Sequence, residues 1–518
     1  MTLTKRIARA WGALLGKPTA RRMYEAARPS RTTSGWDSAT TSADSEIKSS
    51  LTNLRGRSRS LGRNSAYAKR AKAIVVDNVV GAGMGLQAQV ESTRAGLRKS
   101  VNSAIEEAWT QWSRAQFCHT GGAMCFTDIE RGAMSEVFET GEIFLRLHLR
   151  PFGGSPIPFA LEFIESERVP HEFAPLNMDP NSRMGIEVDD FGRPLAYWIR
   201  STHQVDVSFS GMGAWRVERV PASEILHIRV VERWPQSRGV PWLHATMKSL
   251  NDMDGYADAE ITAARGAANY MGWQDISDLD DPDVEQQEDG TYQTELAPGI
   301  IGRGPPGSEI RFNNPNRPNT ALPDFMRYML RQAAAGIGIN YESLSKDFSQ
   351  SNYSSSRLAL LDDRDRWRVL QGWFMQFRQI IHETWLRQAV MAGAIEGLSV
   401  EQYAANPQKF AAAKFKARGW GWVDPAKEVD AYKEALKAGF TTRTQIVSIS
   451  GAGMDIEDVD AERRAELDSQ AELDLEYDTD PGADQKAAPA PAAQPDKQQQ
   501  DEPSDDDMPA GRNVRAIR

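Results

Sequence analysis

Two cysteines in 518 residues, Cys118 and Cys125, are too few for a disulfide framework and fit folding in a reducing cytoplasm. A zinc site needs four ligands with tighter pairing. His119 sits beside Cys118, but no second Cys/His pair follows, so two buried or half-buried thiols are expected. No run of eighteen apolar residues occurs, so no membrane-spanning helix is expected. The start, MTLTKRIARAWGALLGKPTARRMY, is basic and amphipathic, and Lys, Arg and Gly interrupt what a secretory signal would need as a continuous apolar core.

The signatures of catalysis are also missing. No glycine lies between 345 and 371, so the serines of SQSNYSSSR (Ser349–Arg357) have no Gly-x-Ser-x-Gly elbow. Ser354, Ser355 and Ser356 instead suit the N-cap of a following helix, where hydroxyls satisfy free amides. HETWL (His382–Leu386) begins like a zinc-protease helix, but Leu386 stands where the second imidazole should be. GAGMG (Gly81–Gly85) has G-x-G-x-G spacing after a helical segment, which marks a helix stop and not a dinucleotide loop. GRGPPGSE lacks the Lys-Ser/Thr of a P-loop, so no nucleotide-driven motor is expected in the chain itself. Glu162, Glu165 and Glu167 could form a carboxylate group on a strand, with a solvated edge or an intersubunit ion pair as the default. Asp362 lies four residues before Arg366, the spacing of a helix-surface pair worth about 0.2–0.5 kcal/mol.

What the chain does have is length for two to four structural units, a hydrophilic mean hydropathy of -0.52, and a strongly uneven charge. The net charge of -10 conceals a basic front (residues 1–72) and an acidic end (455–510). The front suits contact with nucleic acid or another acidic surface, or a solvated arm.

Helical periodicity predicts helices over 42–61, over 65–80 capped by Asn64, and over 98–116 with Val101, Ile105, Ala108, Trp109 and Trp112 in register. Residues 121–245 read as short strands, among them EIFLRLHLR, FALEFIE, GIEVDDFGRPLAYWIR and EILHIRVVE, with a turn at DDFGRP. Helix returns at 244–271 with a thin apolar stripe, then an acidic Pro/Gly-rich insert, then a helix at 323–338. The longest helix is expected over 355–395, with Leu358, Leu361, Leu370, Trp373, Phe377, Ile380 and Trp385 roughly on one side. Further helices are expected at 399–417, 424–438 and 455–475, before a low-complexity acidic tail. The fold class is α+β, mostly helical.

Several stretches, in order, resemble the lambda-like portal protein family of tailed double-stranded DNA phages. They are GWDSATTSADSEIKSSLTNLRGRSRSLGRNSAYAKRAKAIVVDNVVGAGM, GIEVDDFGRPLAYWI, RVPASEILHI, RGVPWLHATMKSL, LAPG, PPGSE, NPNRPN, NYSSSR and WGWVDPAKEVDAYKEALKAGFTTRTQIVS. The likeness spans about residues 30 to 470. It departs at WPQSRGVPW, where relatives often carry Pro-Gly-Gln, and the tail beyond about 480 does not align.

The resemblance implies a non-enzymatic, cofactor-free subunit of a ring, usually of twelve copies, at one capsid vertex. Its expected partners are further copies, the terminase large subunit at the clip, capsid and scaffold proteins at the wing, head-completion and tail connector proteins, and double-stranded DNA bound without sequence preference. It implies a basic arm (1–41), a mixed α/β wing (42–243), a stem helix (244–271), a small β-containing clip (272–322), a second stem helix (323–338), a tunnel loop region (339–355), a long wing helix (356–395), a helical crown (396–477) and an acidic tail (478–518). The tunnel loop candidates are Lys346, Asp347, Phe348, Ser349, Gln350, Ser351, Asn352, Tyr353, Ser354 and Arg357. Lys346 and Arg357 could touch phosphates, and Asn352, Tyr353 and Ser354 could donate hydrogen bonds. Asp252, Asp254, Asp258 and Glu260 are candidates to face the lumen, where symmetry would make a ring of like charge that repels DNA. Two other readings remain: a structural DNA-binding protein using its basic front, and a serine hydrolase using Ser351 or Ser354–Ser356.

Overall fold

The computed structural model describes residues 31, 35–36, 38–92, 96–97, 99–172, 181–203, 216–275, 300–304, 321–421, 425–450, 456–475 and 477. Most of the expected arm and clip, and the acidic tail, lie outside these residues.

Helix α1 (Ala43–Asn64) starts where the Ser42 hydroxyl accepts from the Ser45 amide, with Asp44 and Glu46 in its first turn complementing the helix dipole. The apolar period buries Ile47, Leu51 and Leu61. Helix α2 (Ala66–Val79) follows after Ser65, not Asn64, and its first residue has no side-chain cap. It ends where Gly81 takes a φ of +63° and its amide reaches back to the Val76 carbonyl. After the short strand β1 (Gly85–Ala88), helix α3 (Lys99–Trp112) buries the apolar face expected of it.

The α+β region 121–245, in which the sequence pattern picks out only short strands, contains a fifteen-residue helix, α4 (Phe126–Thr140). Its buried residues Phe126, Ile129, Ala133, Met134, Val137 and Phe138 keep a helical period. The strand-rich sequence on either side masked that signal. Beyond it, β2 (Glu142–His148) is the centre of a three-stranded antiparallel sheet, flanked by β3 (Ala160–Ile164) and by a strand at Ile225–Arg229. A four-stranded antiparallel meander runs β4 (Ser182–Arg183), β5 (Ile186–Val188), β6 (Pro194–Arg200) and β7 (Val217–Pro221). The strand Ile225–Arg229 is β8. The predicted turn at DDFGRP joins β5 to β6, with Asp189 accepting from the amides of Phe191 and Arg193. A small core of Phe144, Ile164, Val169, Ile186, Val188 and Tyr197 fills the space between the two sheets.

Helix α5 (Met247–Asn269) leads into β9 (Tyr270–Asp275), which pairs in parallel with β10 (Ile300–Gly304). Helices α6 (Leu322–Ile337), α7 (Tyr341–Ser345) and α8 (Tyr353–Met391) follow. The helix expected over 399–417 is instead two short helical turns, Val400–Ala405 and Pro407–Phe410, and a strand, β11 (Ala413–Lys416). Pro407 cannot continue a helix, and AKFK alternates as a strand does. β11 pairs with β1, tying the chain near residue 415 back to residue 85. Helices α9 (Pro425–Lys437) and α10 (Arg443–Ser450) complete this unit. A second unit starts at Asp455 and contains α11 (Ile456–Leu473), whose ion pairs are local ones such as Arg463 with Glu466.

A fully buried polar cluster joins the layers. The Glu142 carboxylate, at the start of β2, receives Arg55 of α1 (2.5 Å), Arg238 Nε (2.7 Å), His227 Nε2 of β8 (2.9 Å) and the Gly239 amide (2.7 Å). Arg238 also donates to the carbonyls of Val169, Met184 and Ser166. The close fit explains Gly141, whose φ is +92°: a Cβ there would lie 2.3 Å from the Val240 backbone. Burial alone would raise the Glu142 pKa, but Arg238, Arg55 and His227 hold it well below the usual carboxylate range. Burial, reinforced by Arg229, pushes His227 down to about 3. Arg229 donates to Nδ1, so the neutral ring carries its proton on Nε2 and gives it to Glu142.

Two of the three carboxylates singled out in the sequence, Glu162 and Glu167, are likewise paired within the chain. Glu167 and Glu136 clasp Arg59, and Glu162 binds Arg168 and His148. Glu165 and Glu167 do not share a strand, because β3 ends at Ile164 and a short 3-10 turn begins at Ser166.

Replacing Arg238 by Met should cost about 3–5 kcal/mol, because Glu142 is left buried with part of its charge uncompensated. Urea unfolding would measure this. Both groups with depressed folded pKa values lose their contribution as pH falls: His227 begins to do so below its ordinary value of 6.5, and Glu142 below 4.5. The contribution of His227 to the melting temperature should therefore fall between pH 7 and 5, opposed by the buried Glu130, whose carboxyl is raised to about 7, and His227→Gln should lose less melting temperature over that range than the wild type.

Candidate nucleic-acid interface

The stretch between α7 and α8 is a seven-residue loop, 346–352, fixed at both ends and exposed between them. At its entrance Lys346 adopts φ +60° as the left-handed end of α7, its amide bonded to the Glu342 carbonyl. A non-glycine residue in that conformation carries strain. Asp347 is the anchor. It accepts from the Tyr341 hydroxyl (2.8 Å) and the Ser349 amide (3.0 Å), and Arg327 of α6 lies 3.7 Å away. These hydrogen bonds from Ser349 and Tyr341, with Arg327 nearby, hold the carboxyl far below the usual range, so it stays charged. Phe348, Ser349 and Gln350 are exposed, and Ser351 donates its hydroxyl to the Phe348 carbonyl.

The far end is closed by Asn352. Its side chain accepts from the Ser355 amide at 2.8 Å, and the Ser355 hydroxyl accepts from the Asn352 amide at 3.2 Å. This corrects the expected cap: α8 starts two residues earlier than predicted, and Asn352, not Ser354–Ser356, caps it. The asparagine carboxamide reaches the third amide from the turn, which is the stronger cap geometry. Tyr353 and Ser354 therefore belong to the helix and not to the loop. Arg357 sits one turn further on, its guanidinium 3.9 Å from Glu428 of α9.

Helix α8 carries this loop on a core anchor. Trp367, Phe374, Ile381, Trp385 and Leu386 are buried, whereas Leu358, Leu361 and Ile380, expected on the same side, are exposed. Apolar residues lie on both sides of this helix, and the sequence alone does not say which side meets the core. Arg378 lies between the rings of Trp109, Phe126 and Phe415 and is ion-paired with Glu130 at 2.7 Å. Asp363 accepts from the Asn340 amide and carboxamide, joining α8 to α7. Arg366 donates to the Ile337 carbonyl and does not form the expected pair with Asp362. The supports Arg327, Tyr341 and Asn340 escaped sequence reasoning, since no local pattern links them to Asp347 and Asp363.

The acidic candidates on α5 divide by helical geometry. At 3.6 residues per turn, Asp252 and Glu260 point one way and Asp254 and Asp258 another, so the four cannot share one line. Asp252 and Asp258 are exposed, Asp254 and Glu260 half-buried, and Glu260 accepts from Tyr256. Tyr256 meets Phe325 of α6 edge-on at 5.2 Å, so α5 and α6 run side by side.

The pattern of the phage portal protein lambda family matches residues 29–371. The chain belongs to that family. Among its portal relatives, the probable portal protein of Halomonas phage phiHAP-1 is 28% identical and covers 89% of this chain and 91% of its own length. Portal protein B of Escherichia phage lambda is 22% identical over 79% of this chain and 82% of its own, and the portal protein of Escherichia phage N15 is 23% identical over 79% and 83%. A chain from the neck of an empty gene transfer agent particle aligns over 75% of this chain and 92% of its own, with 13% identity and a TM-score of 0.38, too low a likeness to add to the assignment. The chain has a phage portal role on the strength of the family match.

Asn352→Ala should cost about 1 kcal/mol and fray the first turn of α8, read as faster amide exchange at Ser355 and Ser356, whereas Ser354→Ala should leave exchange unchanged.

Proposed function

We propose that copies of this portal chain close into a ring, twelve by analogy with the family, and that the loop 346–352 lines its channel and touches passing DNA. The observation that carries this reading is a loop latched at its base by Asp347, Tyr341 and Asn352 yet exposed at its tip. Its chemistry suits a conduit. Lys346 supplies one positive charge, and Ser349, Gln350 and Ser351 supply neutral polar groups. Few phosphates are neutralised per subunit, so contact is brief and indifferent to sequence. Arg357, turned toward Glu428, contributes less than Lys346. Of the acids on α5, only one pair, Asp252 with Glu260 or Asp254 with Asp258, would face the axis and repel the duplex.

In this reading α5 and α6 are the stem, the sheets of β2–β8 with α1–α4 the wing, α8 the long wing helix, and residues 396–477 the crown. The insert between the stem helices, mostly outside the described residues, would be the clip that meets the terminase large subunit. Capsid and scaffold proteins would meet the wing, and head-completion and tail connector proteins the assembled vertex. The ring would be a virion component put together in the bacterial cytoplasm. The work of translocation would come from the terminase and not from this chain, which is proposed to have no catalysis. Two of the serines support that: Ser351 of the loop and Ser355 of the first turn of α8 use their hydroxyls on local backbone.

Electron microscopy of the purified chain should show rings with a central hole. Deleting 348–351, which spares the Asn352 cap, or replacing Lys346 by Ala should leave rings intact and reduce packaged or retained DNA. Full packaging by the deletion variant would sink the loop assignment.

A further inference from the structure

Among the described residues two helical stripes stay largely exposed, apart from Phe325, whose ring meets Tyr256 of α5, and they complement one another. On α8, Leu358, Leu361, Val369 and Gly372 fall on one line opposite the buried residues Trp367, Gln371 and Phe374. Leu358 is 71% exposed and Val369 72%. Gly372 belongs to this line, and a Cβ built on it would meet nothing within 4 Å. Glycine is the costliest helix residue after proline, and no neighbour among the described residues requires it here. Its missing side chain leaves room for another backbone to come close.

On α6, Phe325, Tyr328, Gln332 and Ala335 recur at intervals of three, four and three, opposite the buried Leu330, Ala333, Ala334 and Ile337. Tyr328 is 66% exposed. Leu358 to Gly372 spans about 21 Å and Phe325 to Ala335 about 15 Å, so the α6 stripe fits within the length of the α8 stripe. The charges are opposite: Asp362 flanks the α8 stripe, Asp365 lies on it and pairs with Arg368 at 2.7 Å, and Arg331 flanks the α6 stripe, lying over the Tyr341 ring with no carboxylate partner among the described residues.

We propose that the α8 stripe of one copy docks along the α6 stripe of the next, with Arg331 meeting Asp362 across the contact. The occupant of each stripe is a second copy of this chain, because the exposed apolar positions and the sign of charge that one stripe calls for are found on the other. The contact joins two different surfaces, so it repeats from copy to copy instead of closing as a pair. It rests on the ring reading and adds to it the faces that meet. It also places Tyr328 of one copy within reach of the helix that carries its neighbour's loop.

The test uses the full chain. Val369→Glu and Tyr328→Glu, both at exposed positions, should shift mass photometry from rings toward monomers without lowering the melting temperature. Arg331→Asp should weaken assembly, and Asp362→Arg in the same chain should restore at least half of it. Leu361→Cys with Tyr328→Cys in one chain should give a ladder of disulfide-linked oligomers on oxidation, while a mixture of the two single variants should give linked dimers only. Rings that form undiminished in both glutamate variants, or an absence of linkage in rings of the cysteine pair, would overturn the assigned faces and leave the ring reading standing. A wild-type chain that stays monomeric at high concentration would overturn both.

Discussion

The two central sheets and the helices packed on them are organised around one buried carboxylate. Glu142 stands at the start of the central strand, and the groups that neutralise it come from a helix (Arg55), an edge strand (His227) and a loop (Arg238, Gly239). None of these is close to another in sequence except the last two and His227. An ionised group taken out of water is tolerated only when its partners are all in place, so the cluster accepts a single arrangement of the layers. The three carbonyls that Arg238 also satisfies extend this constraint to the loop after β3 and to the turn before β5.

Helix α8 transfers that rigidity outward. Its C-terminal half is seated by Trp385, Ile381 and Arg378, whose guanidinium sits among three aromatic rings beside Glu130. Burial raises the Glu130 carboxyl to about 7 despite Arg378, so this second buried pair is less firmly charged than the first. At the other end the same helix begins at Asn352 and presents the loop. A contact made in the loop is thus backed by a helix anchored in the core, which is how a small exposed element can keep its position under load.

Much of the organisation is legible in the sequence, and the failures share causes. Strong period-three-or-four patterns identified α3 and its Trp109 and Trp112, and Gly81 marked the end of α2. Helix α4 was missed because its apolar residues sit between strongly strand-like runs. The 399–417 segment departs from the single helix expected of it because Pro407 interrupts the helix and AKFK alternates as a strand does. The Ser354–Ser356 cap was misplaced because several capping residues stand side by side, and only geometry distinguishes Asn352 from its neighbours.

The sequence by itself determined the family, the α+β class, the absence of a nucleotide-binding loop motif and the polar stretch before the longest helix. These depend on local composition, spacing and order along the chain. Tertiary structure alone decided which partners Glu142, Asp347 and Asp363 take, which face of α8 is buried, and which apolar residues remain outside. Those outcomes depend on contacts between residues tens to hundreds of positions apart, such as Arg378 with Glu130 and Lys416 with Gly85. No local pattern encodes such pairs; they exist only once burial and charge compensation select one arrangement of the whole unit.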